Sequence, residues 1–285
     1  MKKILLCTDG SPYSWVSYQY VAWLAKRIDI TLEVLYVSDD PAKAAKTNDW
    51  SGNIGIDSYQ KLLNEMVELE SAKAKLDQKK AKIILQEAKQ FFSDRNLDNL
   101  KLTHETGDLI DLFHDLERNN DLIVLGKRGE NANRASQHLG VNLERIVRSS
   151  HKPCLVTPQK FQPVERIMLA YDGGKSCQNA VRYLAREAFI KDLQLHIVTV
   201  DTGNQEKAIE HLESANNLLQ QANLKPICLL LHGTPELALE EYITAQNIDF
   251  LIMGAYGHNR IRQMIIGSTT AQMLRNSHIP VILFR

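Results

Sequence analysis

No charge of either sign is in excess: 34 Lys plus Arg stand against 34 Asp plus Glu in 285 residues. That balance removes the bulk-electrostatic argument for nucleic-acid binding or attachment to an anionic membrane. Long hydrophobic runs are missing too. None approaches the ~18 apolar residues that a spanning helix requires. The basic-then-apolar opening, Lys2 to Cys7, is cut by Asp9 before it reaches the length of a signal-peptide core. Cysteine is scarce. Cys7, Cys154, Cys177 and Cys228 lie far apart with no metal-ligand spacing, and three sit in or beside apolar runs, where a reduced, buried thiol is the simpler reading. Cytoplasm is the expected compartment, with no metal site. Two nucleotide signatures are absent: the Gly-x-x-x-x-Gly-Lys-Ser/Thr loop and a strand-borne Gly-x-Gly-x-x-Gly.

What is present starts with apolar material. Hydrophobic residues make up 44% and charged residues 24% of the chain, enough for an ordinary globular protein with two cores. The length suggests about two domains, and the chain repeats itself. Residues 4–11 match 167–174, 105–109 match 231–237, 121–126 match 249–254, and 150–156 match 277–283, in the same order. The expected domains are therefore 1–158 and 163–285, with Pro158 and Pro163 bracketing the connector. The first copy carries extra residues at about 39–70, expected to act as a lid or an interface.

Each copy alternates strand and helix. In the first, strands are expected at 4–7, 32–37, 100–104, 122–125 and 154–156, with helices at 14–27, 59–92 and 109–118. In the second, strands are expected at 167–170, 195–200, 227–231, 250–253 and 281–284. Helices are expected there at 177–191, 205–222, 235–245 and 269–276. Such alternation predicts an α/β chain: two tandem five-stranded parallel sheets with helices on both faces. Ligands of such sheets bind beyond the carboxyl ends of the strands.

One stretch lies at such an end. Gly254 and Gly257 follow an apolar strand, and nine residues later Gly267, Ser268 and Thr269 open a helix. Glycines allow close backbone approach. The first-turn N–H groups and the helix dipole favour an anion there, and the two hydroxyls can donate or cap. The alternative is that the glycines serve only turns and packing. In the first copy, Gly126 and Gly129 are followed by ten residues before Gly140, and then by Val141 and Asn142 instead of hydroxyl residues. Lys127 and Arg128 add charge there without restoring the cradle. A weak or absent site is expected in that copy.

The spacing Gly-x2-Gly-x9-Gly-Ser, set in this repeat, resembles the ATP-binding signature of the universal stress protein family, in its tandem form. The resemblance implies an adenine-nucleotide α-hydrolase-like, Rossmann-like fold. It implies ATP as ligand, with or without Mg2+, and a role in stress response through nucleotide-dependent binding or signalling. It places the ligand on Asp172, Gly173, Thr199, Val200, Met253, Gly254, Gly257, His258, Gly267, Ser268 and Thr269. It also implies joining of the halves through their last strands, with Leu155 and Ile282 in the corresponding runs, giving an intramolecular pseudo-dimer; a homodimer of chains and unidentified protein partners stay open. No catalytic residue is expected, because no carboxylate pair or phosphate-loop lysine stands near the glycines. A slow ATPase or phosphoryl- or nucleotidyl-transfer enzyme, and a scaffold that binds no nucleotide, remain as alternatives. His151 and His278, at matching repeat positions, are expected to complement helix C-termini.

Overall fold

The structure is a computed structural model that describes residues 2–38, 56–129, 141–255 and 267–285. Ten strands form one sheet: β1 (Lys3–Thr8), β2 (Thr31–Ser38), β3 (Leu100–Thr106), β4 (Leu122–Gly126), β5 (Cys154–Thr157), β6 (Arg166–Ala170), β7 (Gln194–Asp201), β8 (Ile227–His232), β9 (Phe250–Gly254) and β10 (Val281–Phe284). Their order is β3-β2-β1-β4-β5-β10-β9-β6-β7-β8. Each half is a five-stranded parallel sheet, and the halves meet where β5 and β10 pair antiparallel, Leu155 opposite Ile282. The last-strand junction inferred from the resemblance is the one observed. It covers two strand edges that would otherwise invite association.

The described helices are α1 (Pro12–Ala25), α2 (Ile56–Ser93), α3 (Leu109–Glu117), α4 (Val141–Ser149), α5 (Lys175–Leu184), α6 (Gln205–Gln221), α7 (Pro235–Ala245) and α8 (Ser268–Asn276). Among them none is long and apolar enough to cross a membrane. Buried strands read as continuous apolar runs because both faces are covered: Ile4, Leu5 and Leu6 are all fully buried. One core cluster packs α1, α2, α5 and α6 on one face; the other packs α3, α4, α7 and α8 on the opposite face.

Both clusters cross the seam between halves. Trp23 of α1 stacks on Phe250 of β9 with centroids 5.9 Å apart and meets Phe189 edge-on at 6.0 Å. In the connector, Phe161 lies 4.8 Å from Tyr20, whose hydroxyl accepts the N–H of Gln162 at 3.2 Å. Two cations cross as well. The Lys127 ammonium donates to the carbonyls of Arg275 and Ser277 at 2.6 and 2.9 Å, at the end of α8. The Arg285 guanidinium donates to the carbonyls of Ser149 and Ser150 at 3.4 and 3.1 Å, at the end of α4. Helix C-termini leave carbonyls without intrahelical partners, and a cation suits them.

Three expectations change. The helix expected at 177–191 stops at Leu184, and a short 3-10 turn, Ala188–Ile190, follows. That turn buries Phe189 and Ile190 against the seam, so tertiary packing overrides the continuous helical pattern. The helix Val141–Ser149 was not foreseen in the first copy. Of the extra stretch at 39–70, residues 56–70 are the opening turns of α2; residues 39–55 lie outside the described residues.

Candidate functional site

The strands of the second half end at a cavity of about 600 Å3. Its floor is the carboxyl ends of β6, β7 and β9; its walls are the starts of α6, α7 and α8. Asp172, Thr199, Val200, Met253, Gly254, Gly267, Ser268 and Thr269 all line it. Gly173 stands beside it. Gly257 and His258 lie outside the described residues.

Local chemistry explains these placements. After β6 the chain turns on Asp172, whose Oδ1 accepts the N–H of Gly174 at 2.8 Å, a turn that short acidic side chains favour. Gly173 has φ +74, and a Cβ there would fall on the His211 ring. The glycine thus lets α6 bring His211 against the backbone at the cavity. At Gly254 a Cβ would stand 3.1 Å from Cys177 Sγ and Ser176 Cβ, so this glycine also permits close packing of β9 on α5. Asn204 caps α6 by accepting the Lys207 N–H at 3.0 Å, which holds Lys207 and His211, one turn apart, in the cavity wall.

Hydroxyls decide what the α8 end can offer. Thr270 donates to the Gly254 carbonyl at 2.9 Å, and Thr269 donates to Glu236 Oε1 at 2.5 Å. Of this turn's hydroxyls, Ser268 alone shows no hydrogen bond to another described residue. The expectation that Ser268 and Thr269 both serve a ligand is narrowed to Ser268, because Glu236 of α7 already holds Thr269. Gly267 caps α8 without a side-chain bond, leaving first-turn N–H groups of the kind that receive an anion.

One polar atom in the lining is conspicuous. Thr199 is 3% exposed, and its Oγ1 has no hydrogen-bond partner among the described residues. Burying a hydroxyl unpartnered costs about 1–3 kcal/mol, so this atom is a local burden on the cavity wall, itself shielded from the lumen. The Cys177 thiol lines the same cavity but donates to the Ala170 carbonyl at 3.4 Å. Burial, then the nearby Asp172 charge, pushes its pKa well up. It is no nucleophile.

The first half differs at the equivalent strand ends. Ile4 pairs with Leu32 as Ile167 pairs with Leu195, so Tyr36 stands where Thr199 stands. Tyr36 is buried. Over Gly10, the counterpart of Gly173, α2 lays Ile84, whose Cγ1 would be 2.8 Å from an added Cβ. The Gly126–Gly129 turn lies on its own half, with the Cβ position of Gly129 2.6 Å from Asp9 Oδ2. Lys127 turns away to the α8 carbonyls.

Comparisons with known proteins now bear on this geometry. The Universal stress protein family profile matches twice, over residues 1–158 and 163–285. The chain belongs to the universal stress protein family. A universal stress protein of Synechocystis is 47% identical over 287 residues, spanning 100% of both chains. A universal stress protein structure from Archaeoglobus fulgidus superposes with TM-score 0.72 at 23% identity, covering 99% of this chain and 98% of the other. A putative universal stress protein from Pseudomonas aeruginosa gives 0.64 at 12% identity over 100% and 93%. At those identities the two structures speak for the fold alone.

Within this universal stress protein, the residues missed by the sequence reading are His211, Lys207, Asn204, Tyr36 and Ile84. Aligning the repeats strand by strand exposes Tyr36 against Thr199. No sequence signal marks His211 or Ile84, because their helices differ in length and register. One of the two late histidines also departs from expectation. His151 does not serve a helix end: its Nδ1 lies 3.0 Å from Glu117 Oε1.

Proposed function

We propose that the second half of this universal stress protein binds ATP, and that the chain acts in stress response through nucleotide-dependent binding or signalling. The observation that carries the reading is the strand-end cavity, where Asp172, Lys207 and His211 face the first turn of α8 at Gly267 and Ser268. Its volume of about 600 Å3 falls within the roughly 300–1,000 Å3 of small-molecule sites. Ser268 and the first-turn N–H groups of α8 would hold phosphate oxygens, with Lys207 and His211 as donors from the opposite wall. The Val200 backbone and the Asp172 carboxylate offer hydrogen bonds to a base or a ribose. Asp172 is the only carboxylate among the described lining residues, so an accompanying Mg2+ would be carried chiefly by the phosphates.

The reading assigns one site per chain. Tyr36 and Ile84 occupy the first half where the second half has Thr199 and His211. The test is to denature the purified full chain, identify released nucleotide by chromatography and mass spectrometry, and titrate the emptied protein with ATP by calorimetry. Adenine nucleotide at about one equivalent is the expected result. A chain that releases none and takes up none overturns the reading in favour of a scaffold.

A further inference from the structure

A second cluster lies far from that cavity, on the other face of the first half. His114 and Glu117, three residues apart on α3, share a helix face. His151 arrives beside them from the turn after α4. Glu117 Oε1 stands 3.0 Å from His151 Nδ1 and 3.4 Å from His114 Nδ1, and all three ligand atoms lie within 4.8 Å of one another. The carboxylate is deep, with its side chain 4% exposed, while the imidazoles are 41% and 71% exposed. We propose that His114, Glu117 and His151 form a binding site for a divalent first-row metal ion of the zinc class, open to solvent at its remaining position.

Geometry carries this. With metal–ligand bonds of about 2.0–2.2 Å, neighbouring ligand atoms on a tetrahedron sit roughly 3.3–3.6 Å apart. Two observed separations are already within a few tenths of an ångström of that, and both imidazoles are exposed enough to adjust. Two imidazoles with one carboxylate is a donor set that zinc accepts. The carboxylate is also aimed from behind. Its Oε2 accepts the Ser150 hydroxyl at 2.7 Å and the His151 N–H at 3.0 Å, the kind of outer support that fixes a metal ligand.

The repeat supplies an independent argument. Counting from the shared turns at Gly107 and Gly233, Glu117 corresponds to Ile243 of α7, which packs against the core. The Ser277 turn closes there without a carboxylate, through its own hydroxyl bonds to Ile279 at 2.7 and 3.2 Å. The Ser150 turn makes the same local bonds to Lys152 at 3.1 Å. The fold therefore does not need Glu117 to close this turn, and the carboxylate between two imidazoles is peculiar to the first half.

The experiment titrates chelator-stripped full-length protein with Zn2+ against a chromophoric competitor, and with Co2+ followed by its visible spectrum. About one equivalent should bind with micromolar or tighter affinity, and the Co2+ complex should show no thiolate charge-transfer band. His114→Ala and His151→Ala should each weaken binding by at least about 100-fold, since even outer-shell partners are worth 10–100-fold. His278→Ala, at the matching turn of the second half, should leave it unchanged. Circular dichroism checks that the surface variants fold. Absence of binding tighter than millimolar overturns the proposal. So does a thiolate band, or affinity that survives the His114→Ala/His151→Ala double substitution.

Discussion

Replacing Thr199 by valine should make the protein more stable. Valine keeps the branched shape and exchanges the buried hydroxyl for a methyl. In the parent, Thr199 Oγ1 is inside and has no partner among the described residues, a burden of about 1–3 kcal/mol on the folded state. Relief of even 1 kcal/mol raises Tm by about 2 °C in a chain of this size. Differential scanning calorimetry reads the sign. Thr8→Val is the contrast: its hydroxyl sits 2.6 Å from the Tyr18 hydroxyl and accepts the Gly10 N–H at 3.2 Å, so Tm should fall. A Thr199→Val protein that melts lower would show that the hydroxyl is already satisfied.

Gly173→Ala forces a side chain into a φ of +74 and onto His211; urea unfolding should show a loss of about 1–3 kcal/mol, and an unchanged midpoint would mean the turn relaxes freely. Trp23→Ala removes the ring stacked on Phe250 and edge-on to Phe189 and should cost about 3–5 kcal/mol; a loss under 1 kcal/mol would deny the seam its role in the core. Burial, then the neighbouring Arg128, pulls the Lys127 ammonium down to about 8 from about 10.5. The unfolded chain therefore binds more protons between those values, and this group's contribution to stability rises as pH climbs from about 8 to 10. Parent stability minus that of Lys127→Met should rise over that window by chemical denaturation, and a falling difference would reverse the assignment.

The fold was legible because period and repeat agree. Parallel strands buried on both faces read as short apolar runs, and the Pro235–Ala245 helix and Val281–Phe284 strand fall at their expected bounds. The glycine signature located the cavity, because strand ends and helix starts converge where the sequence places them. What stayed hidden are side chains brought in from other elements. Thr269 looks free in sequence, yet Glu236 sits 33 positions away and holds it. His211 gives no local clue that it lies over Gly173. The Glu117 cluster needs the turn after α4 folded back on α3, and no ligand spacing records that.

The seam also decides how the two halves can be compared. Cutting the chain at the connector would strip β5 and β10 of each other, expose Trp23, Phe189 and Phe250, and leave the ends of α4 and α8 without Arg285 and Lys127. Unpaired strand edges and bare aromatics drive association, so a separated half that failed to bind ATP would report its own misassembly. The difference between halves is therefore best probed in the intact chain. What the structure shows of it is in side chains: Tyr36 against Thr199 at one strand position, Ile84 against His211 over one glycine. In the first half Tyr36 and Ile84 are part of the core that α2 buries, so the residues at this place also hold that half together. In the second half Thr199 stands at that strand position and His211 over that glycine, and both line the cavity.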